Sequence, residues 1–530
     1  MAKIFDFVKA NKPQQSAFNL SHEVKLTGNM GDLIPFFAQE VYPTDKFKVD
    51  SEMLIRLAPM TAPVMHRINA YTHYFFVPYR LIFDKWQDFI TGGEDGMDNT
   101  VPPFIYMDSS STTERQRLLK AGTLADYLGF PSLPDDYDLN EFPAFQVSAL
   151  PFRAYQLIYN EFYRDQNLQD KVPLTKNSGQ VSSTELDEIM KLRKRGWEKD
   201  YFTSCLPFAQ KGEPVQIPIA GSAPVMMRSG NEPTPNLKTQ SGASASVGNL
   251  TSLSGKLRDN TGNTLKIDPN GSMYADMSQV SGVYVNDLRE AIQVQRFLER
   301  NARSGTRYIE FILSHFGKRT PDFRLQRPEY LGGGKSPIVI SEVLQTSSSD
   351  MTTPQGNMAG HGFGVGNTNS FTREFDEHGI VIGILSVLPT TAYQQGLPRQ
   401  FTRFDKFDYL FPEFVHLGEQ EVLNKELYFD FYSSTQNNNG TFGYQQRYGE
   451  LRYIPSSVHG NFKNNLGYWH MGRKFASQPQ LTEEFIESDP THDIFAVTDP
   501  EEHKLFIQIY NNVSAVRPLP LMAEPGFMDH

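Results

Sequence analysis

Hydrophobic and polar positions follow several short strand-like patterns along the chain. Residues 67–77 are rich in β-branched and aromatic side chains and stop at Pro78. Residues 379–388 form an apolar, β-branched run that ends at Pro389, so we expect a strand buried on both faces rather than a buried helix. In residues 427–432, Leu and Phe alternate with Tyr and Asp, which is the period of a half-buried strand. These patterns predict a body built mainly from β-strands.

Two segments have the helical period instead. In residues 287–302 the apolar positions that fall near one helical face are Leu288, Ala291, Ile292, Leu298 and Ala302. In residues 307–316 the apolar positions at helical spacing are Ile309, Ile312, Leu313 and Phe316. Gly317 follows as the expected C-terminal cap of the second helix. We expect both helices to pack against the body.

One long stretch contributes little to a core. None of the 39 Phe residues falls within residues 209–296, and residues 221–282 are crowded with Ser, Gly, Asn, Thr and Pro. These residue types favour turns and surface excursions. We interpret residues 210–285 as an inserted surface loop, and residues 1–209 and 286–530 as the body of a single subunit.

Composition and charge narrow the class of protein. With 530 residues, 12% of them aromatic and 21% charged, the chain can bury a large core and is not a disordered protein. Cys205 is the single cysteine, which excludes a disulfide scaffold. No apolar run has the roughly 18–20 residues of a membrane helix, and the charges at Lys3, Asp6 and Lys9 argue against a signal peptide, so we expect a cytoplasmic protein without membrane insertion. A net charge of −11 argues against a protein that wraps nucleic acid by its own positive field.

The motifs that could carry catalysis are weak. The run Leu-Gly-Gly-Gly-Lys-Ser at residues 331–336 is similar to a phosphate loop, but Glu329 stands where that motif needs a glycine and Pro337 follows, so we expect a turn. His66 and His73 are seven residues apart, and one strand holding both would send them to opposite faces, away from a shared metal.

An acidic turn and the single cysteine also need no metal-binding or catalytic role to explain them. Glu94, Asp95 and Asp98 form a solvated acidic turn more readily than a calcium loop, and Cys205 has no neighbouring histidine that would activate its thiol. We therefore predict no catalytic residue, no cofactor and no metal site.

One basic and aromatic segment could contact nucleic acid. Its candidate residues are Lys191, Arg193, Lys194, Arg195 and Trp197. Cations can neutralise phosphates, and aromatic rings can stack on unpaired bases. The alternative is a solvated helix face packed by its aromatic residues.

Segments spread over the whole chain resemble one viral family. They include FNLSHEVKLTGNMGDLIPFFAQEVYPTDKF, MHRINAYTHYFFVPYRLI, YFTSCLPFAQKG, AIQVQRFLERNARSGTRYIEFILSHFGKRTPDFRLQRPEYLGGGKSPIVISEVLQT and VRPLPLMAEPGFMDH. In this order they resemble the major capsid proteins of the microviruses, the small single-stranded DNA bacteriophages, and within them the gokushovirus group. With residues 378–422 they span about a third of the chain.

The resemblance implies an eight-stranded antiparallel jelly roll of the viral capsid type, with long inserted loops and a few helices. Sixty copies would form a T=1 icosahedral shell around circular single-stranded DNA, assembled in the cytoplasm of a bacterial host. The 210–285 insertion corresponds in position to a loop that forms protrusions at the three-fold axes and serves host attachment. Implied partners are further copies of the chain, the genome, a minor or pilot protein, an internal scaffolding protein, a small basic DNA-binding protein and a host surface receptor.

Two consequences follow for such a shell. Sixty copies at −11 each would total −660, so either the inner face is locally basic or a separate basic protein neutralises the DNA. The proline-rich end of the chain resists regular pairing, and we expect it to lie extended against a neighbouring subunit through Val516, Arg517, Pro518 and Pro520. The alternatives are a β-sandwich hydrolase and an adhesin, both acting on host surface polysaccharide.

Overall fold

The structure is a computed structural model. It describes residues 14–107, 119–134, 144–213, 215, 225–227, 237–241, 251–253, 255–259, 261–267, 273–275, 285–344, 358–431 and 437–522. The chain divides into two compact units, one of residues 210–301 and one of residues 1–209 with 302–530. The second of these units, which we call the body, contains the main sheet.

Strands dominate the described residues. They are β1 (Ser16–Asn19), β2 (His22–Gly28), β3 (Ile34–Val41), β4 (Lys46–Leu57), β5 (Ile68–Pro78), β6 (Phe104–Met107), β7 (Phe145–Ser148), β8 (Val225–Met227), β9 (Leu237–Thr239), β10 (Thr251–Leu253), β11 (Lys256–Arg258), β12 (Leu265–Ile267), β13 (Met273–Ala275), β14 (Glu329–Leu344), β15 (Met358–Glu374), β16 (Gly379–Pro389), β17 (Glu419–Leu423), β18 (Thr441–Gln446) and β19 (Leu505–Arg517).

The helices are fewer and mostly short. They are α1 (Trp86–Thr91), α2 (Leu124–Tyr127), α3 (Leu150–Ile158), α4 (Ser183–Ile189), α5 (Val285–Ser304), α6 (Tyr308–Phe316), α7 (Asn424–Leu427) and α8 (Glu483–Ile486). A π-helical turn, Tyr159–Tyr163, extends α3. Short 3-10 turns lie at Tyr79–Leu81, Asp322–Leu325, Arg399–Thr402, Lys406–Asp408, Pro412–Phe414, Gly449–Leu451, Gly460–Lys463 and Gly467–Trp469.

The main sheet is antiparallel and curls into two sets of strands. Its order is β1–β19–β4–β15–β14–β5–β16–β3, and β2 also pairs with β19. The long strand β14 pairs with β5 through residues 329–338 and with β15 through residues 339–344, so it joins the set β2–β19–β4–β15 to the set β14–β5–β16–β3. Two antiparallel sets of four strands are the arrangement of a jelly roll.

The predicted class, mainly β with a few helices, is confirmed. The sheet holds nine strands among the described residues rather than the expected eight, because β1 and β2 are successive pieces that both pair with β19.

Two hydrophobic clusters explain why the central strands are so apolar. The first cluster takes side chains from both sets of strands, including Phe47 of β4, Tyr74 of β5 and Ile509 of β19. The second cluster packs α3 against the opposite face of β5 and β16. Every residue of β16 is buried, because Val381 and its alternate neighbours enter the first cluster while Ile382 and its alternate neighbours enter the second. The prediction of a strand buried on both faces is confirmed.

Two sequence predictions about packing and local structure are wrong. The segment that begins at Leu427 is not a strand, because α7 ends there and the Glu426 carboxylate accepts the backbone N–H of Leu423 at 2.9 Å, which stabilises a helical turn. The helices α5 and α6 do form, and Gly317 caps α6 with a φ of 67°. Their apolar faces do not pack as expected, since the described part of α5 buries only Ala302 and α6 buries no residue.

The glycine run at residues 332–334 is not a turn either. It lies inside β14 opposite β5, with an extra residue between Tyr330 and Gly332. A Cβ atom on Gly333 would lie 2.1 Å from the carbonyl oxygen of Thr72. These glycines therefore allow the two backbones to approach closely.

Gly333→Ala should lower the free energy of unfolding by about 1–3 kcal/mol, since β14 and β5 must separate locally to admit the methyl group. The matched control is Gly467→Ala, because a Cβ atom on Gly467 has no atom within 4 Å. Denaturant titration of both variants measures the difference. Equal stabilities of the two variants would contradict the close approach.

Candidate interaction surfaces

The basic segment of residues 191–197 runs as irregular backbone after α4, not as a helix. Its backbone pairs with Asp32 through Lys194 and with Glu487 through Gly196. The N–H of Leu33 donates to the carbonyl oxygen of Arg193 at 2.9 Å. These contacts fix the segment against the start of β3 and the end of α8.

The side chains of this segment have partners within the subunit. Lys191 and Arg193 contact the Glu188 carboxylate at 2.6 and 3.0 Å, and Lys194 lies 2.6 Å from Asp489. Hydrogen bonds from Lys191 and Arg193 hold the pKa of Glu188 below its usual value.

The other two candidate residues face the protein interior. Arg195 donates to the hydroxyl of Ser386 at 2.9 Å, and its guanidinium lies 4.0 Å from the ring centroid of Tyr71. Trp197 is only 5% exposed. The guanidinium of Arg473 lies over the Trp197 ring, 5.1 Å from the ring centroid. The five candidates are neighbours in sequence and stay together in one segment. The carboxylates of Glu188 and Asp489 balance much of their charge. Contact with nucleic acid stays a prediction.

Asp32, whose backbone pairs with that of Lys194, provides a pH test of this region. Burial raises the pKa of Asp32 to about 6, while Lys194 opposes the shift. The protonated form is the favoured one in the fold, so its contribution to stability is full below the unfolded pKa of 3.8 and is lost as the pH rises through about 6.

Asp32→Asn should therefore gain stability relative to the natural chain between about pH 4 and pH 7. The control is Asp84→Asn, which makes the same change at a carboxylate that is 67% exposed. Denaturant titrations at a series of pH values measure both. A flat difference for Asp32→Asn would contradict the prediction.

The predicted inter-subunit tail begins inside the chain's own sheet. Val516 and Arg517 end β19, where Val516 pairs with Ala17 and Lys46. The Arg517 guanidinium lies 3.5 Å from the buried carboxylate of Asp45.

Beyond β19 the tail leaves the sheet. Pro518 and Pro520 follow the strand, and Met522 is 81% exposed. Residues 523–530 lie outside the described residues. Val516 and Arg517 are therefore held partly within the subunit, and contact of the tail with a neighbouring copy stays a prediction.

The histidines and the cysteine weighed above have structural contacts. His66 lies 2.6 Å from the carbonyl oxygen of Thr390, and His73 lies 2.8 Å from the hydroxyl of Tyr163. Burial lowers the pKa of both rings, that of His73 to about 4. Cys205 is buried, which raises the pKa of its thiol.

Acidic side chains that line a surface cleft were also considered as a catalytic or metal-binding site. A cleft of about 1060 Å³ is lined in part by Glu484, Glu487 and Asp489. Glu487 accepts a hydrogen bond from Gln169 at 3.0 Å and Asp489 is paired with Lys194. In the described part of the chain no group of three His, Cys, Asp or Glu residues is placed to bind a metal. No helix there is long and apolar enough to cross a membrane.

One exposed apolar surface is a segment between β16 and β17, residues 399–417, which we call the aromatic loop. Its exposed large apolar residues are Phe401, Phe404, Phe407, Tyr409, Leu410, Phe411 and Leu417, and Phe404 is 90% exposed. Exposed apolar patches of this kind mark interaction sites on folded proteins.

Polar contacts brace the aromatic loop although its apolar side chains are exposed. Arg399 lies 3.2 Å from the buried carboxylate of Glu426, and Arg403 lies 2.9 Å from Glu450. The Asp408 carboxylate accepts the N–H groups of Phe404 and Asp405, both at 2.9 Å. These contacts restrain the backbone of the loop within the subunit, and a restrained loop loses less conformational entropy on association.

A second exposed surface lies on α6 and the turn after it, residues 308–324, which we call the basic helical surface. Its exposed large apolar residues are Tyr308, Leu313, Phe316 and Phe323. Phe316 is 74% exposed. The helical period predicted α6 correctly, but the period alone did not show whether its apolar stripe faces the core or a partner.

The aromatic loop was not singled out by the sequence analysis. It has no periodic pattern, and its 3-10 turns interrupt any regular spacing. The available signal was the density of aromatic residues in a segment without a helical or strand period.

Comparison with known proteins gives a consistent result. Residues 7–527 match the family model described as "Capsid protein (F protein)". The chain is 36% identical over 597 residues to capsid protein VP1 of Chlamydia phage 1, covering 99% of this chain and 98% of that protein.

Two further relatives carry the same description. Capsid protein VP1 of Bdellovibrio phage phiMH2K is 36% identical, covering 97% of this chain and 95% of that protein. Capsid protein VP1 of Spiroplasma virus 4 is 32% identical, covering 99% and 98%. The chain therefore belongs to the phage capsid protein (F protein) family.

Proposed function

We propose that this protein is the major capsid protein of a gokushovirus-like microvirus, with a structural and not an enzymatic role. Sixty copies would close a T=1 shell around circular single-stranded DNA. Family membership and the VP1 relatives support a virion protein that assembles with further copies of itself. The observation that carries the proposal is the braced, exposed aromatic loop.

The physical argument concerns apolar surface. The aromatic loop holds seven large apolar side chains in solvent although its backbone is fixed. Burial of such surface between copies is favourable by roughly 25 cal/mol per Å². Symmetry repeats each contact in every copy, so a modest contact stabilises a closed shell.

The test is expression of the chain together with its neighbouring phage genes, followed by electron microscopy and mass determination. The proposal expects uniform closed particles of sixty copies. Phe404→Ser with Leu410→Ser should reduce the particle yield at least tenfold while the soluble subunit stays folded. Persistent small oligomers of the natural chain would contradict the proposal and would favour the adhesin or hydrolase alternative.

We propose further that the genome is neutralised by locally basic surface or by a separate small basic protein. The 191–197 segment is the candidate on this chain, but its side-chain contacts with Glu188 and Asp489 limit the free charge that it offers.

Replacing Lys191, Arg193 and Arg195 by alanine should lower the nucleic acid retained per particle if the segment contacts DNA. The ratio of absorbance at 260 and 280 nm, measured on purified particles, gives the result. A matched control replaces three exposed lysines, Lys25, Lys46 and Lys171, by alanine. Unchanged retention in the triple variant would dismiss the contact.

The insertion and the tail are assigned by the same proposal. We propose that residues 210–285 protrude at the three-fold axes and attach to a host receptor, and that the tail after Arg517 contacts a neighbouring copy. Exchange of residues 216–284 for a short glycine-serine linker should leave particles that no longer adsorb to the host.

Truncation after Arg517 should leave folded subunits without particles. Assembly inside the host cytoplasm, with the pilot and scaffolding proteins as partners, belongs to the same proposal.

A further inference from the structure

The two exposed surfaces of the body carry opposite charge. On the aromatic loop, Arg399 and Arg403 are paired with carboxylates outside the loop, so Asp405, Asp408 and Glu413 outnumber the remaining cation Lys406. The loop is therefore an aromatic surface with an acidic excess.

The basic helical surface has the reverse balance. Its acidic residues are both paired, Glu310 with Arg307 at 3.3 Å and Asp322 with Arg327 at 3.3 Å. Lys318, Arg319 and Arg324 are exposed, and none forms an ion pair with another described residue. Among the described residues, these three unpaired cations therefore lie on the same surface as four exposed apolar side chains.

On each surface several large apolar side chains are exposed in the described part of the subunit. Among the described residues, no hydrogen bond, ion pair or ring contact joins the aromatic loop to the basic helical surface. Both surfaces belong to the body, and each is fixed to it: the aromatic loop through Glu426 and Glu450, and α6 through Glu310, which accepts a hydrogen bond from Gln166 at 2.7 Å. Two preformed surfaces of opposite charge are suited to meet each other on different copies.

We infer that the aromatic loop of one copy docks on the basic helical surface of a second copy. The inference rests on the proposed shell and names the contact that would build it. Pairing of two aromatic loops would place acidic side chains against each other, and pairing of two basic helical surfaces would do the same with cations. The contact therefore joins two different surfaces, and in a closed shell such a heterologous contact forms a ring around a symmetry axis.

The chemistry of the contact follows from the two surfaces. Phe404 and Leu410 would bury their side chains against Phe316 and Leu313, in the centre of the contact where water is excluded. Lys318 and Arg319 would lie at its rim, opposite the acidic side chains of the loop. The rim charges select the partner surface and speed association, while the apolar centre holds the copies together.

Cysteine cross-linking tests the contact directly, since Cys205 is buried and does not compete. The variant Phe404→Cys/Phe316→Cys is expressed with the neighbouring phage genes, and its particles are treated with a short bismaleimide. The expected product is a ladder of covalent oligomers that ends at a closed ring of three or five copies. A second pair, Leu410→Cys/Leu313→Cys, repeats the test at other positions.

The controls separate this contact from other arrangements. Phe404→Cys alone and Phe316→Cys alone should give no cross-linked product, because each surface meets the other kind. Particles that form but give no ladder with either pair would overturn the docking inference and leave the proposed function intact. Dimers from either single variant would also overturn it, since they indicate a two-fold contact between like surfaces. If the natural chain forms no particles, the proposed function itself fails.

Charge reversal gives a second readout that needs no new thiol. Lys318→Glu/Arg319→Glu should lower the particle yield at least tenfold without changing the melting of the subunit. The matched control is Lys171→Glu/Lys474→Glu, which makes the same change at two exposed lysines outside both surfaces. Equal particle yields from the two double variants would overturn the inference.

Discussion

Arg153→Ala is expected to lower the free energy of unfolding of the subunit by about 3–5 kcal/mol. Arg153 lies in α3 with a side chain 1% exposed, and it contacts the Glu185 carboxylate at 3.0 Å. It also donates to the carbonyl oxygens of Ile82 and Asn177, at 3.2 and 3.0 Å. Alanine would leave the Glu185 carboxylate, 3% exposed, buried without its cation. Denaturant titration of disassembled subunits measures the loss.

Two comparison variants separate burial from ion pairing as the cause. Lys176→Ala breaks an exposed ion pair with Asp84 and should cost less than about 1 kcal/mol. The double change Arg153→Met/Glu185→Leu removes both charges and should recover at least half of the loss, since no buried charge is then left unpaired. Equal losses for Arg153→Ala and Lys176→Ala would refute the argument.

Phe75→Ala should also cost about 3–5 kcal/mol, through the cavity that it leaves between β5 and α3. Phe75 is 2% exposed in the second hydrophobic cluster. Its ring centroid lies 4.7 Å from that of Phe162 and 5.6 Å from that of Tyr330. Because the surrounding elements are tied to the sheet, the cavity cannot collapse fully. Denaturant titration of the disassembled subunit measures this loss as well.

A Phe to Ala substitution on the aromatic loop should instead leave subunit stability nearly unchanged and lower the particle yield. Phe404→Ala removes a ring that is already in solvent, so subunit stability should change by no more than about 0.5 kcal/mol. Particle yield should fall, because the ring is buried only between copies. A large loss of subunit stability in Phe404→Ala would show that the loop serves the fold and not assembly.

The sequence predicted secondary structure best where the pattern within one element is enough to identify it. The strands at residues 67–77 and 379–388 were predicted within one residue of β5 and β16 at each end, because apolar β-branched runs bounded by proline have few alternatives. The helices α5 and α6 were predicted for the same local reason. The jelly-roll class came from the family resemblance and not from these patterns.

Contacts between segments that are far apart in sequence could not be predicted from the sequence patterns. The glycines at 332–334 look like a turn until β5 lies beside them, since the contact of Gly333 with Thr72 depends on two strands far apart in sequence. The ion pair of Arg153 with Glu185 is equally invisible, because both residue types are ordinary surface residues until a fold buries them together.

The sequence by itself determined the β-rich character of the body, the two helices and the family. Those properties depend on local periodicity or on residues shared with relatives. Only the tertiary structure decided which apolar faces are buried within the chain and which stay exposed. The apolar stripe of α6 and the rings of the aromatic loop have core-like composition, yet the described part of the chain leaves α6 without a buried residue and the rings exposed. Burial is a property of the neighbours that surround a residue, and for these two surfaces we place those neighbours on another copy.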